Sequence, residues 1–158
     1  MAPCFSFIAY SGTGKTTYLE KLIAELKARG KRVGVIKHDA HAFEIDREGK
    51  DSWRFARAGA DAAAVADSTK WALVDYRPAP LEEILPHFRD VDLVLVEGWH
   101  AAARQAVALY RSGSGKGLRL PPEDCVAVVS DIPLETGNTP LFPLDDAAPM
   151  AEFLISML

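Results

Sequence analysis

The 158 residues predict a three-layer α/β fold built on a mostly parallel, partly antiparallel (mixed) sheet. Three observations predict it. An apolar run, Cys4 to Ile8, passes through a glycine-bearing loop into a segment whose Leu19, Leu22, Ile23 and Leu26 recur at helical spacing. A second apolar run, Arg32 to Lys37, follows within the first 40 residues, so a helix joins two strands and the crossover makes them parallel. Two further strand candidates, Asp61 to Ala66 and Thr69 to Tyr76, lie so close together that they predict a hairpin.

In chain order, the loop Ala9-Tyr10-Ser11-Gly12-Thr13-Gly14-Lys15-Thr16-Thr17 has the residue types of a phosphate-binding P-loop, with Ala9 where the strict pattern has glycine. Glycines let successive backbone N–H groups wrap a phosphate, and the helix that follows adds positive partial charge. Ser11, Gly12, Thr13, Gly14, Lys15, Thr16 and Thr17 are therefore the candidate phosphate ligands. Lys15 is the catalytic cation, reaching the β- and γ-phosphates, and Thr16 offers its hydroxyl to Mg²⁺. The blander reading is a glycine turn before a helix. Strand, loop and helix in the required order favour the nucleotide, and with it a P-loop NTPase-like arrangement whose ligand lies at the carboxyl ends of the strands.

Gly30, after Lys27 and Arg29, is the expected stop of the first helix. Beyond the second strand, Lys37, His38, His41, Asp46 and Lys50 concentrate polar chemistry toward the same crevice. Asp46 is the candidate for orienting water or a ligand of the Mg²⁺, against a plain loop acid. His38 and His41 have a spacing compatible with a metal pair, but no cysteine or third histidine is near in sequence. Phosphate contact, water positioning or an ordinary surface loop are the readings preferred to a transition metal. Gly49 to Arg57 predicts a short helix ending at Gly59, the hairpin follows, and Pro80 to Phe88 predicts another helix.

Val91 to Val96 is the most apolar strand and should be central and buried on both faces. It ends in Glu97, the candidate second metal group opposite the Thr16 hydroxyl. Arg111 to Arg119 is a Gly/Ser-rich segment with three positive charges, read as a mobile loop: either a basic flap over phosphates or a solvated connection. Asp131 follows the strand Val126 to Val129 and could accept from N1–H and the exocyclic amine of guanine, against a turn or capping role. Asp145 to Leu158 predicts an amphipathic helix with Met150, Phe153, Leu154 and Met157 inward, and Trp53, Trp71 and Trp99 are read as packing residues.

Composition bounds the rest. At 49% hydrophobic and 25% charged, 158 residues suit one globular domain, residues 1–158, with a real core. A net charge of −4 and a pI near 5.5 argue against a general attraction to nucleic acid or to an anionic membrane. Cys4 and Cys125 are expected to be reduced and unbridged, and no stretch reaches the roughly 18 apolar residues of a membrane span, so the expected compartment is the cytoplasm.

The P-loop together with Ile36-Lys37-His38, His41 and Asp46, Gly49-Lys50-Asp51-Ser52, Ala58-Gly59-Ala60, Leu95-Val96-Glu97-Gly98 and Val129 to Leu134 resembles the molybdopterin-guanine dinucleotide biosynthesis protein B (MobB) family over essentially the whole chain. The resemblance implies a homodimer that binds GTP with Mg²⁺ and hydrolyses it weakly. It further implies that the protein assists a MobA-type guanylyltransferase, which joins GMP to molybdopterin. By the same resemblance Gly12, Gly14, Lys15, Thr16 and Thr17 bind phosphate, Thr16 and Glu97 serve the metal, and Lys37, His38, His41, Asp46 and Lys50 line the site. The family often has a lysine where this chain reads Ala103-Arg104-Gln105-Ala106-Val107, with Arg104 as the available substitute. The preference for GTP rests on this resemblance, because the chain has no Asn-Lys-x-Asp motif. A small-molecule kinase, with Arg111 to Arg119 as its lid, and a metallochaperone GTPase using His38 and His41 are the alternatives.

Overall fold

The computed structural model describes residues 2–38, 43, 45–101 and 103–158. The chain forms two compact units, residues 1–39 with 85–158, and residues 40–84. In order, the elements are β1 (Cys4–Ile8), α1 (Lys15–Ala28), β2 (Val33–Lys37), α2 (Asp51–Arg57), β3 (Ala62–Ala66), β4 (Trp71–Asp75), α3 (Leu81–Ile84), β5 (Leu93–Glu97), β6 (Val107–Tyr110), β7 (Ala127–Ser130), β8 (Leu141–Pro143) and α4 (Ala148–Ser156).

The first unit carries a six-stranded sheet in the order β2-β5-β1-β6-β7-β8, with every pairing parallel. A parallel sheet is buried on both faces, which is why its strands read as continuous apolar runs. All five residues of β1 are buried, as are the first four of β5. Phe5, Phe7, Leu93, Leu95, Val107, Leu109 and Val129 share one core with Tyr18, Leu22 and Leu26 of α1 and Met150, Ala151 and Leu154 of α4. Met157 departs from the expected inward set. It is 37% exposed because α4 ends at Ser156 and Met157 is already its C-cap.

Gly30 ends α1 as expected, at φ +75°. The Lys31 N–H donates to the Leu26 carbonyl at 3.0 Å, closing the last turn and redirecting the chain into β2. The expected helix from Pro80 to Phe88 is shorter, one turn of α3 followed by a 3-10 turn over Leu85–His87. Pro86 has no N–H to continue an α-helical ladder. After β1 the chain runs to the β2 side of the sheet, and from β5 it jumps across β1 to β6. That reversal opens a crevice at the carboxyl end of β1, where the P-loop begins.

The second unit has α2 against the antiparallel pair β3-β4, a two-stranded sheet of its own with Ala62 opposite Asp75 and Ala66 opposite Trp71. Asp67 closes the hairpin by accepting from the Thr69 N–H and hydroxyl, both at 2.7 Å, and from the Lys70 N–H at 3.0 Å. Trp71, expected to pack, is 66% exposed. Two strands and one short helix cannot cover both faces of the pair. No helix among the described residues is long and apolar enough to cross a membrane.

Candidate functional site

The loop between β1 and α1 is shaped by two glycines in the left-handed region, Gly12 at φ +83° and Gly14 at φ +93°. The Thr13 hydroxyl donates to the Tyr10 carbonyl at 2.9 Å, and Lys15 Nζ to the Ala9 carbonyl at 3.2 Å, so the lysine folds back along the loop. Gly14 is the N-cap of α1 and no side chain caps that end. The first-turn N–H groups of Lys15, Thr16 and Thr17 thus face the loop with the helix dipole behind them, the arrangement that suits a phosphate.

Register sets the other wall. Glu97 ends β5 opposite both Phe7 of β1 and Lys37 of β2, and its carbonyl accepts from the His38 N–H at 2.9 Å. The Glu97 side chain reaches the P-loop, where its Oε1 accepts from the Thr16 hydroxyl at 2.9 Å. Gly98 turns the chain away at φ +86°, and a Cβ there would stand 2.9 Å from the His38 carbonyl oxygen. The His38 ring stacks on Trp99 with centroids 4.5 Å apart, so Trp99 packs as expected.

Burial pushes the Lys15 ammonium below its ordinary pKa. Glu97 opposes this shift, while Arg119 and Lys37 reinforce it. His100 is also shifted downward, by burial and then by Arg119, Lys15 and His38. The sequence reading missed His100; its signal was position, three residues past Glu97 at the same strand end. The hard oxygens of Thr16 and Glu97 fit a small divalent cation such as Mg²⁺.

The segment read as a mobile Gly/Ser-rich loop is tied to the P-loop. Arg111 Nε donates to the Thr13 carbonyl at 3.0 Å, and Lys116 Nζ to the Ser11 carbonyl at 3.3 Å. Lys116 and Arg119 lie over the Tyr10 ring at 5.8 and 5.2 Å from its centroid. Asp131 stands at the carboxyl end of β7 as expected. Both of its oxygens are taken by Ser112, from the N–H at 2.8 Å and the hydroxyl at 2.7 Å. Those two bonds, with the charge of Arg111, hold its carboxyl below the usual range.

Asp46 and Lys50 belong to the second unit. Asp46 Oδ1 accepts from the Ser52 hydroxyl and from the Arg47 N–H, both at 2.9 Å. With Lys50, Phe55 and Val65, Asp46 lines a groove of about 650 Å³. His41 lies outside the described residues. Among the described residues, no three His, Cys, Asp or Glu side chains gather as a metal-binding group. Cys4 and Cys125 are free thiols, as expected.

Residues 4–131 match the family described as MobB, Molybdopterin guanine dinucleotide synthesis protein B. The chain is 38% identical over 170 residues to the molybdopterin-guanine dinucleotide biosynthesis adapter protein of Escherichia coli, covering 100% of this chain and 94% of that one. The protein of the same name from Haemophilus influenzae is 39% identical over 160 residues, covering 99% of this chain and 89% of that one. The crystal structure of Bacillus subtilis MobB superposes with a TM-score of 0.78 at 27% identity, covering 99% of this chain and 98% of that one.

Proposed function

The chain belongs to the MobB family of molybdopterin guanine dinucleotide synthesis proteins, and from that premise we propose that it is a GTP- and Mg²⁺-binding adapter in the making of that dinucleotide. In this reading it hydrolyses GTP slowly and works beside a MobA-type guanylyltransferase acting on molybdopterin. The observation that carries the nucleotide part is the 2.9 Å bond between the Thr16 hydroxyl and the Glu97 carboxylate, made where the uncapped N-terminus of α1 meets the glycine loop.

Each residue then has a defined task. The backbone N–H groups of Gly12 to Thr17 wrap the β-phosphate, and Lys15 leaves the Ala9 carbonyl to meet the β- and γ-phosphates. Thr16 and Glu97 would hold Mg²⁺, which would offset phosphate charge there. Lys37, beside Glu97 in the sheet, adds a further positive charge at the same strand end. His38, whose N–H donates to the Glu97 carbonyl, keeps the role that the family resemblance implies for it. Slow turnover follows from the lack of a recognisable glutamine for positioning water, which gives the protein the character of an adapter whose bound state matters more than its product.

The self-association implied for the family is proposed for the apolar hairpin. Val65 is 56% exposed, Trp71 66% and Leu73 49%, on a two-stranded sheet of a kind that is marginal alone. A second copy of the chain is its proposed occupant.

Calorimetric titration with non-hydrolysable GTP and ATP analogues, with and without Mg²⁺, tests the reading. The expected result is Mg²⁺-dependent preference for the GTP analogue, with partner binding altered once a MobA-type protein is added. Glu97→Ala should keep much of the nucleotide affinity and lose its Mg²⁺ dependence. Preference for ATP, with no nucleotide effect on the partner, would move the assignment to a kinase.

A further inference from the structure

We propose that Arg111 is a phosphate-binding residue of the nucleotide site, supplied by the strand beside the P-loop strand and held in place by Asp131 through Ser112. The inference rests on the GTP-binding reading above.

Three observations converge on Arg111. Its Nε is fixed on the Thr13 carbonyl at 3.0 Å. The guanidinium lies where a side chain at Gly14 would stand, since a Cβ there would be 2.9 Å from Nη2 and 3.5 Å from Cζ. Gly14 therefore meets two demands, the φ of +93° and room for the arginine. Its terminal amino groups have no hydrogen-bond partner among the described residues. They form a planar donor fork beside the loop that would wrap the phosphates, the geometry in which arginine bonds phosphate oxygens in pairs.

The support is equally specific. Residue 111 is the first after β6, and Ser112 begins a 3-10 turn. Asp131, the first residue after β7, grips that turn by the Ser112 N–H and hydroxyl, at 2.8 and 2.7 Å. β6 and β7 are paired with Tyr110 opposite Ser130, so the clasp locks two adjacent strand ends together at the root of the arginine. Asp131 is then a positioning residue, and its effect on affinity should not depend on which base the nucleotide carries.

The test is calorimetry of the full chain with Mg²⁺ and three probes: a non-hydrolysable GTP analogue, the ATP counterpart and inorganic tripolyphosphate. Circular dichroism of each variant checks that it is folded. Arg111→Ala should weaken tripolyphosphate and GTP analogue alike by about tenfold or more, and Arg111→Lys should recover only part of that, because an ammonium cannot bond as a fork. Ser112→Ala and Asp131→Asn should weaken both nucleotides by similar factors, with Ser112→Thr restoring binding. If wild type binds none of the probes, the GTP reading fails and the inference with it. If wild type binds but Arg111→Ala does not weaken tripolyphosphate, only the Arg111 assignment falls. Loss confined to the GTP analogue in Asp131→Asn, with Ser112→Ala unaffected, would overturn the clasp and return Asp131 to reading the base.

Discussion

At the scale of single residues, Lys15 is the position where environment and chemistry bear on each other most directly. A partly buried lysine with a lowered pKa gives up its proton at a lower pH than the ordinary value of about 10.4. The protonated form is the one that binds phosphate. Affinity for the GTP analogue should therefore fall as pH rises through that lowered pKa, and Lys15→Arg, which keeps its charge, should flatten the fall. Calorimetry between about pH 7 and pH 10 reads this, with proton uptake on binding at the alkaline end because phosphates raise the lysine pKa again. For folding the sign is opposite to that of a stabilising ion pair: the unfolded chain holds this proton more tightly, so the penalty applies at low pH and is relieved as pH rises. Lys15→Ala should weaken nucleotide binding by about tenfold to a hundredfold. Lys15, Thr16 and Glu97 were legible in the sequence because motif and strand end fix their places. Arg111's grip on Thr13 was not, since it depends on which strand neighbours β1.

Among the elements, the long apolar segments declared themselves and the short ones did not. β1, α1, β2 and β5 follow from burial on both faces or from helical periodicity, and α2 and the hairpin from their glycine and spacing signals. β8 has only three residues, Leu141–Pro143, and includes a proline, which only its place at the sheet edge tolerates. No local pattern distinguishes that from a loop. Tertiary packing sets demands that periodicity hides: at Gly34 in β2 an added Cβ would stand 2.5 Å from the Phe88 ring. Gly34→Ala should cost about 1–3 kcal/mol as the ring is displaced. Leu154→Ala, which empties a fully buried site on α4, should cost about 2–5 kcal/mol. Urea unfolding midpoints at unchanged slope would measure both, and a neutral Gly34→Ala would mean that Phe88 swings aside freely.

For the whole molecule, the fold class was readable because a crossover and a hairpin differ in the length of chain they need. That difference separated the parallel sheet from the antiparallel pair. Which apolar residues of β3 and β4 stand exposed was not legible, since Ala62–Ala66 reads equally well as a buried strand. If the hairpin is where two copies meet, Trp71→Asp should weaken self-association by at least about tenfold while leaving GTP-analogue affinity unchanged. Sedimentation equilibrium would show the shift toward monomer, and an unaltered mass distribution would remove the hairpin from the interface.

The neighbouring placement of β2 and β5 has a consequence for how this gene can be shortened. The two strands run side by side in the same direction, so the chain leaving Lys37 at one end of the sheet must travel back to the other end before Leu93 can begin. At about 3.3 Å per residue the strand alone spans roughly 17 Å. Residues 38–92 separate the two strands in sequence. A deletion that trims the hairpin but keeps a linker long enough for that journey should still give a folded sheet. One that joins the strands by a tight turn forces them antiparallel and breaks the register that sets Lys37 opposite Glu97.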